Sequence, residues 1–329
     1  MDEIFKIEKH NKGLEDFVVE GPFTNDFVDW LDFKSDFGSR MFINDALSNG
    51  QLNTFGGKKS PDEKIKKVPI VFFHGNSDGA LKVGDDEFNS GWSSVLSTLM
   101  KFGYTSSSLY AYTYGDRNIN LAINRQIDCN LIIQANKFID AVLQYTGAEK
   151  IDVVGHSMGV SIARKAIIGG VVENDNKYCA TLPSLVDKIR NFISISGAHY
   201  GMCLCSKDIS YVSKACSMDN GFYSGTRCSS GKNNDTTCNS FRLTEGECTT
   251  EDYSKFLKDI NDKNIKEGER ILSIWSEDDQ ILGSKNFVWG RKTSLHPFSD
   301  NEIIFFNKTH HETKNDSGLY IYKFIEQNI

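Results

Sequence analysis

The chain has 329 residues, of which 39% are hydrophobic and 25% are charged, and its formal net charge is −7. This composition is typical of a globular chain with a sizeable core, and it excludes disordered and collagen-like classes. No run of ~18 apolar residues occurs, so we expect no transmembrane helix. The acidic balance and the scattered basic residues argue against a nucleic-acid partner.

The first 66 residues are rich in aromatic side chains but show no regular period. We predict that residues 1–66 form an irregular segment packed on the main domain, because so aromatic a stretch is not typical of disorder. The aromatic residues in question are Phe5, Phe17, Phe23, Phe27, Trp30, Phe33, Phe37 and Phe42.

From residue 67 onwards, apolar strand signals alternate with helical periodicity. We predict strands at 68–73, 107–112, 151–154, 191–196, 272–275 and 303–306, and helices at 92–102, 122–146, 158–168 and 318–326. Such alternation indicates an α/β domain over 67–329, with a mostly parallel central sheet and helices on both faces.

Six of the eight cysteines fall within residues 203–248, at spacings that match no zinc site. We therefore predict disulfides and an oxidising compartment, with a cysteine-rich insertion at 199–250 that could form a cap beside the site. Sequons for glycosylation begin at Asn234, Asn307 and Asn315. Residues 1–13 lack the apolar core of a signal peptide, so secretion would need a signal outside this sequence; the alternative is a cytosolic protein with reduced thiols.

The segment Gly155-His156-Ser157-Met158-Gly159 has the form G-x-S-x-G and stands between a predicted strand and a predicted helix. In that context the glycines allow a tight turn that exposes the serine hydroxyl, so Ser157 is the candidate nucleophile. The N–H of Met158, at the helix N-terminus, is then directed at a developing oxyanion.

A nucleophilic serine needs a base, and the base needs an orienting acid. His310 and His311 both follow the last predicted strand, and we leave the choice between them open at this point. Glu277, Asp278 and Asp279 follow the strand before it, and we prefer Asp279 because it begins a D-x-x-L stretch that returns the chain to apolar packing. We expect His296 to be a surface or packing residue, and His199 to line the site without transferring protons.

The second oxyanion donor is expected from the turn after the first strand of the domain. Gly75 allows the backbone to approach the site there, and the N–H of Asn76 is the predicted donor. His74 is interpreted as a buried structural residue, and His156 as a residue behind the nucleophile.

Several long strings of this chain closely resemble the class 2 lipases, in particular their secreted nematode-type branch. The strings are HGNSDGA, GYTSSSLYAYTYGDRN, FIDAVLQYTGAEKIDVVGHSMGVSIARKAIIGG and ISGAHYGMCLC. The resemblance runs from about residue 66 to the C-terminus and implies an α/β-hydrolase fold. It places the nucleophile at Ser157, the oxyanion donors at Asn76 and Met158, the acid at Asp279 and the base at His310, although the doubled His310-His311 departs from the family pattern. Extracellular poly(3-hydroxybutyrate) depolymerases are also similar, at HGN and HSMGVS.

The resulting hypothesis is a serine carboxylester hydrolase, a secreted triacylglycerol lipase or a lipase-like esterase, acting on an ester or lipid substrate that a lipid–water interface could present. We expect no cofactor and no metal. A polyester depolymerase and a catalytically silent lipid-binding protein are the alternatives.

Overall fold

The computed structural model describes residues 17–47, 50–205, 207–226, 238–239 and 253–327. At its centre is a seven-stranded sheet formed by β1 Thr54–Phe55, β2 Ile70–Phe73, β3 Leu109–Tyr112, β4 Ile151–His156, β7 Ile189–Ile195, β8 Arg270–Ser276 and β11 Asn301–Phe305. The strand order is β1-β3-β2-β4-β7-β8-β11. Strand β1 pairs with β3 in the antiparallel sense, and all other pairs in the sheet are parallel. Two further short strands, β9 Phe287–Val288 and β10 Arg291–Lys292, pair with each other outside this sheet.

Helices cover both faces of this sheet, as the alternating sequence pattern predicts. The helices are α1 Asn25–Phe33, α2 Ser93–Lys101, α3 Cys129–Thr146, α4 Met158–Ile168, α5 Lys207–Ser210, α6 Lys255–Asp262, α7 His310–Asn315 and α8 Gly318–Gln327. Alternate strand residues belong to two separate cores, so that Val71 packs in the core with α3 and α4 while Ile70 packs in the core with α2 and α8. The prediction of a mostly parallel sheet between two helical layers is confirmed.

The N-terminal segment is more regular than the sequence analysis predicts. It contains α1, which begins after Thr24 because the Thr24 side chain accepts a hydrogen bond from Phe27 N, and it contributes β1 to the main sheet. Phe27 is fully buried and its ring contacts those of Tyr110 and Tyr145. The described part of this segment therefore shares its core with the α/β domain.

Two elements of the main domain also differ from the sequence expectation. Helix α3 begins at Cys129 rather than near residue 122, because the Asp128 side chain accepts from Leu131 N and starts the helix there. The chain between α4 and β7 forms an unpredicted hairpin of β5 Gly170–Asn174 and β6 Lys177–Leu182. Its turn residues Asp175 and Asn176 have φ of 49° and 61°, a conformation that suits hairpin turns and that an Asp-Asn pair signals.

Three disulfides lie among the described residues, which confirms the prediction that cysteines of this chain form disulfides. They join Cys129 to Cys179, Cys203 to Cys238 and Cys205 to Cys216. The first ties α3 to the β5–β6 hairpin, outside the cysteine-rich stretch. Cys228, Cys248 and the sequon at Asn234 lie outside the described residues. Within the described ranges, no helix has the length and apolar character needed to cross a bilayer.

Candidate active site

Four strands end at one edge of the sheet, and each is followed by a residue that the sequence analysis singled out. Loops after β2, β4, β8 and β11 carry Asn76, Ser157, Asp279 and His310 respectively. Strand β2 lies between β3 and β4 in the sheet. The chain leaves β2 toward β3 on one side and leaves β4 toward β7 on the other side, so a crevice opens between β2 and β4. In open parallel sheets, ligands bind at such a point, at the carboxyl ends of the strands.

Ser157 occupies the turn between β4 and α4 with φ of 54°, a left-handed conformation that costs energy for a residue other than glycine. The two glycines of the motif make this turn possible, because their lack of a side chain lets other parts of the backbone lie close to them. A Cβ on Gly159 would lie 2.3 Å from the Phe73 carbonyl oxygen, and a Cβ on Gly155 would lie 2.8 Å from the Val160 Cα. Met158 is the first residue of α4, so its N–H is one of the groups that a helix leaves without an internal partner.

The loop after β2 passes directly against the serine turn. A Cβ on Gly75 would lie 3.1 Å from the Ser157 Cβ, so a side chain here would push against the serine turn. The side chain of the next residue, Asn76, donates to the Ala122 carbonyl at 3.0 Å and accepts from Arg125 at 2.7 Å. These two contacts hold the predicted oxyanion loop in place.

His310 and Asp279 are joined by a hydrogen bond of 2.6 Å between Nδ1 and Oδ2. His310 is the first residue of α7, which Thr309 and Glu312 cap reciprocally, and its N–H donates to Gln280. Burial alone would raise the pKa of Asp279, but the neighbouring His310 and the N–H groups of Ile281 and Leu282 hold it below the usual value. The Asp279 carboxylate therefore stays charged and orients the imidazole.

The alternatives left open by the sequence have other contacts, although His311 lines the same cavity as Ser157. The exposed Asp278 accepts from Asn307 N and does not bond a histidine, whereas Asp279 is buried. His311 packs its ring against Phe88 at 4.9 Å between centroids, and its Nδ1 has no hydrogen-bond partner among the described residues. The structure thus brings His310, and not His311, to the acid.

A cavity of about 160 Å³ contains Ser157, His310, Gly75 and Asn76 in its lining. The rest of its wall is mainly apolar, and it includes Phe88, Ile119, Met158, Ala198, Met202 and Phe222. Met202 and Phe222 belong to the cysteine-rich stretch, so the described part of that stretch forms one wall of the cavity. Its role as a cap remains a prediction.

Comparison with known proteins identifies the family. The model of the family described as lipase (class 2) matches residues 67–323, which is most of the chain. The chain belongs to the class 2 lipase family. Its fold is the α/β-hydrolase fold.

Solved structures similar to this class 2 lipase family member are distant in sequence. Lipase B of Aspergillus fumigatus is 12% identical, with a TM-score of 0.46 over 80% of this chain and 52% of that one. The chain thus spans about half the length of the Aspergillus protein. A monoacylglycerol lipase of Paleococcus ferrophilus is 14% identical, with a TM-score of 0.42 over 83% and 95% of the two chains. An extracellular α/β-hydrolase from a Paenibacillus species is 13% identical, with a TM-score of 0.44 over 79% and 100%.

The other histidines of the class 2 lipase domain have structural surroundings. His74 is buried and accepts from Tyr114 N at Nε2, and burial lowers its pKa to about 3. His156 is buried behind the serine, where its Nε2 donates to the His310 carbonyl at 3.2 Å. His74 is thus a buried structural residue, as the sequence analysis predicts, while His156 also lines the cavity that contains Ser157.

Of the two remaining histidines, one matches its sequence expectation and one does not. His296 is the packing residue that the sequence allows, buried 3.0 Å from Glu267, which also bonds the fully buried Arg164. His199 does not line the cavity; its Nδ1 lies 3.0 Å from Arg164 and its Nε2 3.0 Å from Ser194. This buried network lies beside α4, the helix that begins at the serine turn.

Asp78, His156 and His311 form the one cluster among the described residues whose spacing would suit a metal ion, with ligand atoms within 4.8 Å of one another. Both carboxylate oxygens of Asp78 already have partners, Gly91 N and the ammonium group of Lys314. A cation from the protein itself therefore neutralises this carboxylate.

A larger cavity of about 440 Å³ lies between the β5–β6 hairpin and α6, away from Ser157. Its charged walls are paired internally, with Lys165 and Lys263 both on Asp259 and Lys255 near Glu173. No serine or histidine occurs among its described lining residues, so the smaller apolar cavity is the candidate active site.

Sequence reasoning did not single out three residues that contact the loops of the candidate site: Arg125, Asp78 and Lys314. Asp78 lies in the quoted string HGNSDGA, and Lys314 follows His310 by four residues, which is one helical turn. That spacing could have placed Lys314 on the face of α7 that carries His310.

Proposed function

We propose that this chain is a serine carboxylester hydrolase in which Ser157 is the nucleophile, His310 the general base and Asp279 the orienting acid. The observation that carries the proposal is the 2.6 Å bond between His310 and Asp279, at a cavity that Ser157 shares with His310. A hydrogen bond at Nδ1 fixes the tautomer and leaves Nε2 of His310 as the nitrogen for proton transfer.

The reaction proceeds in two halves. The Ser157 Oγ attacks the ester carbonyl carbon while His310 takes the hydroxyl proton. The oxyanion of the resulting tetrahedral intermediate accepts hydrogen bonds from the backbone N–H groups of Asn76 and Met158. The alcohol leaves with the proton from His310, which generates an acyl-serine. Water then attacks the acyl-serine while His310 takes a proton from it, and His310 returns that proton to the Ser157 Oγ as the carboxylic acid is released.

The substrate class follows from the surface around the cavity. The 3₁₀ helix Ile119–Asn124 lines the cavity with Ile119 and Ala122 and exposes the apolar side chains of Leu121 and Ile123. Ser213 bonds the Ile123 carbonyl, and beside it Tyr211 and Val212 are also exposed. We call Ile119, Leu121, Ile123, Tyr211 and Val212 the apolar rim. An apolar rim around an ester-hydrolysing cavity suits a lipid substrate presented at a lipid–water interface, as for a triacylglycerol lipase.

A secreted location is part of the proposal. Six cysteines are paired in three disulfides, which persist in oxidising compartments and are rare in the cytosol.

The decisive experiment combines a serine-reactive fluorophosphonate with a substrate panel of p-nitrophenyl esters, emulsified triglyceride and poly(3-hydroxybutyrate) film. The wild-type protein should be labelled and should hydrolyse esters, while Ser157→Ala should lose labelling and about 10⁴-fold or more of the turnover. Ser161→Ala is the matched control, because Ser161 is a buried serine of the same helix whose hydroxyl has no partner among the described residues. Turnover by Ser157→Ala within tenfold of wild type would exclude the mechanism.

The rim is tested separately. The double variant Ile123→Asp/Val212→Asp should lose activity on emulsified triglyceride and keep activity on a soluble short-chain ester. Val18→Asp is the control, since Val18 is as exposed as Val212, at 77%, and lies outside the rim. Equal loss on both substrates would contradict the interfacial part of the proposal, and film hydrolysis without triglyceride hydrolysis would favour a polyester depolymerase.

A further inference from the structure

We infer that the buried ion pair between Asp78 and Lys314 is a positioning element of the active site, which fixes the oxyanion loop against the helix that carries His310. The inference rests on the proposed function. It assigns a role to two residues that take no part in the bond-making steps.

Both side chains of the pair are fully buried. The Lys314 ammonium donates to Asp78 Oδ2 and, at 2.9 Å, to Ser90 Oγ, while Gly91 N donates to Asp78 Oδ1 at 2.8 Å. Burial would raise the pKa of Asp78, but the charge of Lys314, the neighbouring His74 and the hydrogen bonds from Lys314 and Gly91 together keep that pKa below the usual value. The two groups therefore meet as a charged pair in a fully hydrogen-bonded setting.

The pair joins the two segments whose separation matters most for catalysis. Asp78 lies two residues after Asn76, and its N–H donates to the Gly75 carbonyl in the same tight loop. Lys314 lies one helical turn after His310 in α7. Because the loop and the helix are short, a shift at the ion pair changes the distance between the Asn76 N–H and the His310 ring.

The same cation affects the two histidines beside His310. Burial, and then the charge of Lys314, lower the pKa of His311 to about 3. Burial, the charge of His310 and that of Lys314 lower the pKa of His156 as well. Asp78, Asp279 and Arg117 are the other charged groups nearby. The lowered pKa makes both neighbours weaker proton acceptors, and His310 is the imidazole that bonds Asp279.

Stability alone does not explain such a pair. Desolvation cancels most of the attraction between buried charges, and replacing both partners by neutral groups often costs little stability. A pair with a purely structural role would therefore be replaceable without loss of activity. A pair that positions catalytic groups could not be replaced without such a loss, because misplacing a catalytic group by about 1 Å can lower the rate about 10²-fold.

The test is the double variant Asp78→Asn/Lys314→Met in the full chain. Asparagine keeps an oxygen for Gly91 N, and methionine fills the lysine's place without charge. The matched control is Asp152→Asn/Arg190→Met, which removes the pair of the fully buried Asp152 with Arg190 near the opposite end of β4. For each protein, kcat and KM on a soluble ester, the affinity for an alkyl boronic acid as transition-state analogue, and the urea midpoint are measured.

We expect kcat of the Asp78/Lys314 variant to fall about 10²-fold with little change in KM, and the boronate affinity to fall with it. The control should keep kcat within about twofold of wild type. A folded variant with wild-type kcat and boronate affinity would overturn the inference, as would an equal loss in the control.

Asp78→Asn alone is the second variant if the double variant does not fold. Asparagine is isosteric with aspartate, keeps an oxygen for Gly91 N and removes the negative charge that faces Lys314. The same loss of kcat and boronate affinity is expected, and wild-type values would again overturn the inference. A wild-type protein that neither reacts with fluorophosphonate nor hydrolyses esters would instead overturn the proposed function, and the inference with it.

Discussion

Nδ1 of His310 lies 2.6 Å from Oδ2 of Asp279, although the two residues are 31 positions apart in the chain. His310 begins a short capped helix after β11, and Asp279 follows β8, the parallel neighbour of β11. Because parallel strands end at the same edge of the sheet, both loops meet there. Neighbouring His311 and Asp278, one residue away in each loop, face other partners.

The first prediction separates the two adjacent histidines. His310→Gln should lower kcat by about 10⁴-fold, because no other described imidazole bonds the acid, whereas His311→Gln should keep kcat within about tenfold. Esterase kinetics on purified protein, with urea unfolding as the control for folding, measure both. A larger loss in His311→Gln than in His310→Gln would show that His311 is the base.

The second prediction concerns the cavity wall from the cysteine-rich stretch. Phe222→Leu should widen the cavity and Ala215→Leu should narrow it, because both residues line it. The ratio of kcat/KM for eight-carbon to four-carbon esters should rise about tenfold in the first and fall about tenfold in the second. Shifts in the same direction, or none, in two folded variants would exclude this stretch as the acyl-chain wall.

The third prediction concerns the disulfide between α3 and the β5–β6 hairpin. Cys129→Ser/Cys179→Ser should lower the free energy of unfolding by about 4 kcal/mol, because the bond closes a loop of 50 residues in the unfolded chain. Urea unfolding measures this loss, and Ser157 labelling should persist. Thiol titration of the unfolded, unreduced protein is the companion measurement, and six or more free thiols would contradict the disulfides and the secreted location together.

The fourth prediction concerns acid stability. Burial, and then the charge of Arg164, lower the pKa of His296 to about 4, so between pH 6.5 and 4 the unfolded chain binds a proton that the folded chain does not. This histidine's contribution to stability is therefore lost as the pH falls through that window. We expect His296→Gln to reduce the slope of unfolding free energy against pH by about 1.4 kcal/mol per pH unit there. At pH 8 the two proteins should show the same slope, and identical slopes from pH 6.5 to 4 would contradict the assignment.

The sequence by itself determined the features that depend on neighbours along the chain. The turn at Ser157, the close approach at Gly75 and helix α4 follow from glycine spacing and apolar periodicity, because close steric limits and side-chain burial act over a few residues. The α/β class followed in the same way from alternating strand and helix signals. The sequence analysis did not predict α1, β1 or the β5–β6 hairpin. Their signals in the sequence are short: a single capping threonine, two strand residues and an Asp-Asn turn, respectively.

Only the tertiary structure decided which polar groups meet. The order of the strands brings Asp279 to His310, buries His296 against Glu267, and joins Asp78 to Lys314 across 236 residues. Two adjacent histidines or two adjacent aspartates have the same local signal, so the choice between them depends on which side chain the packing turns toward a partner. A buried charge must find its partner where the fold leaves one, and that position is set by contacts between distant segments.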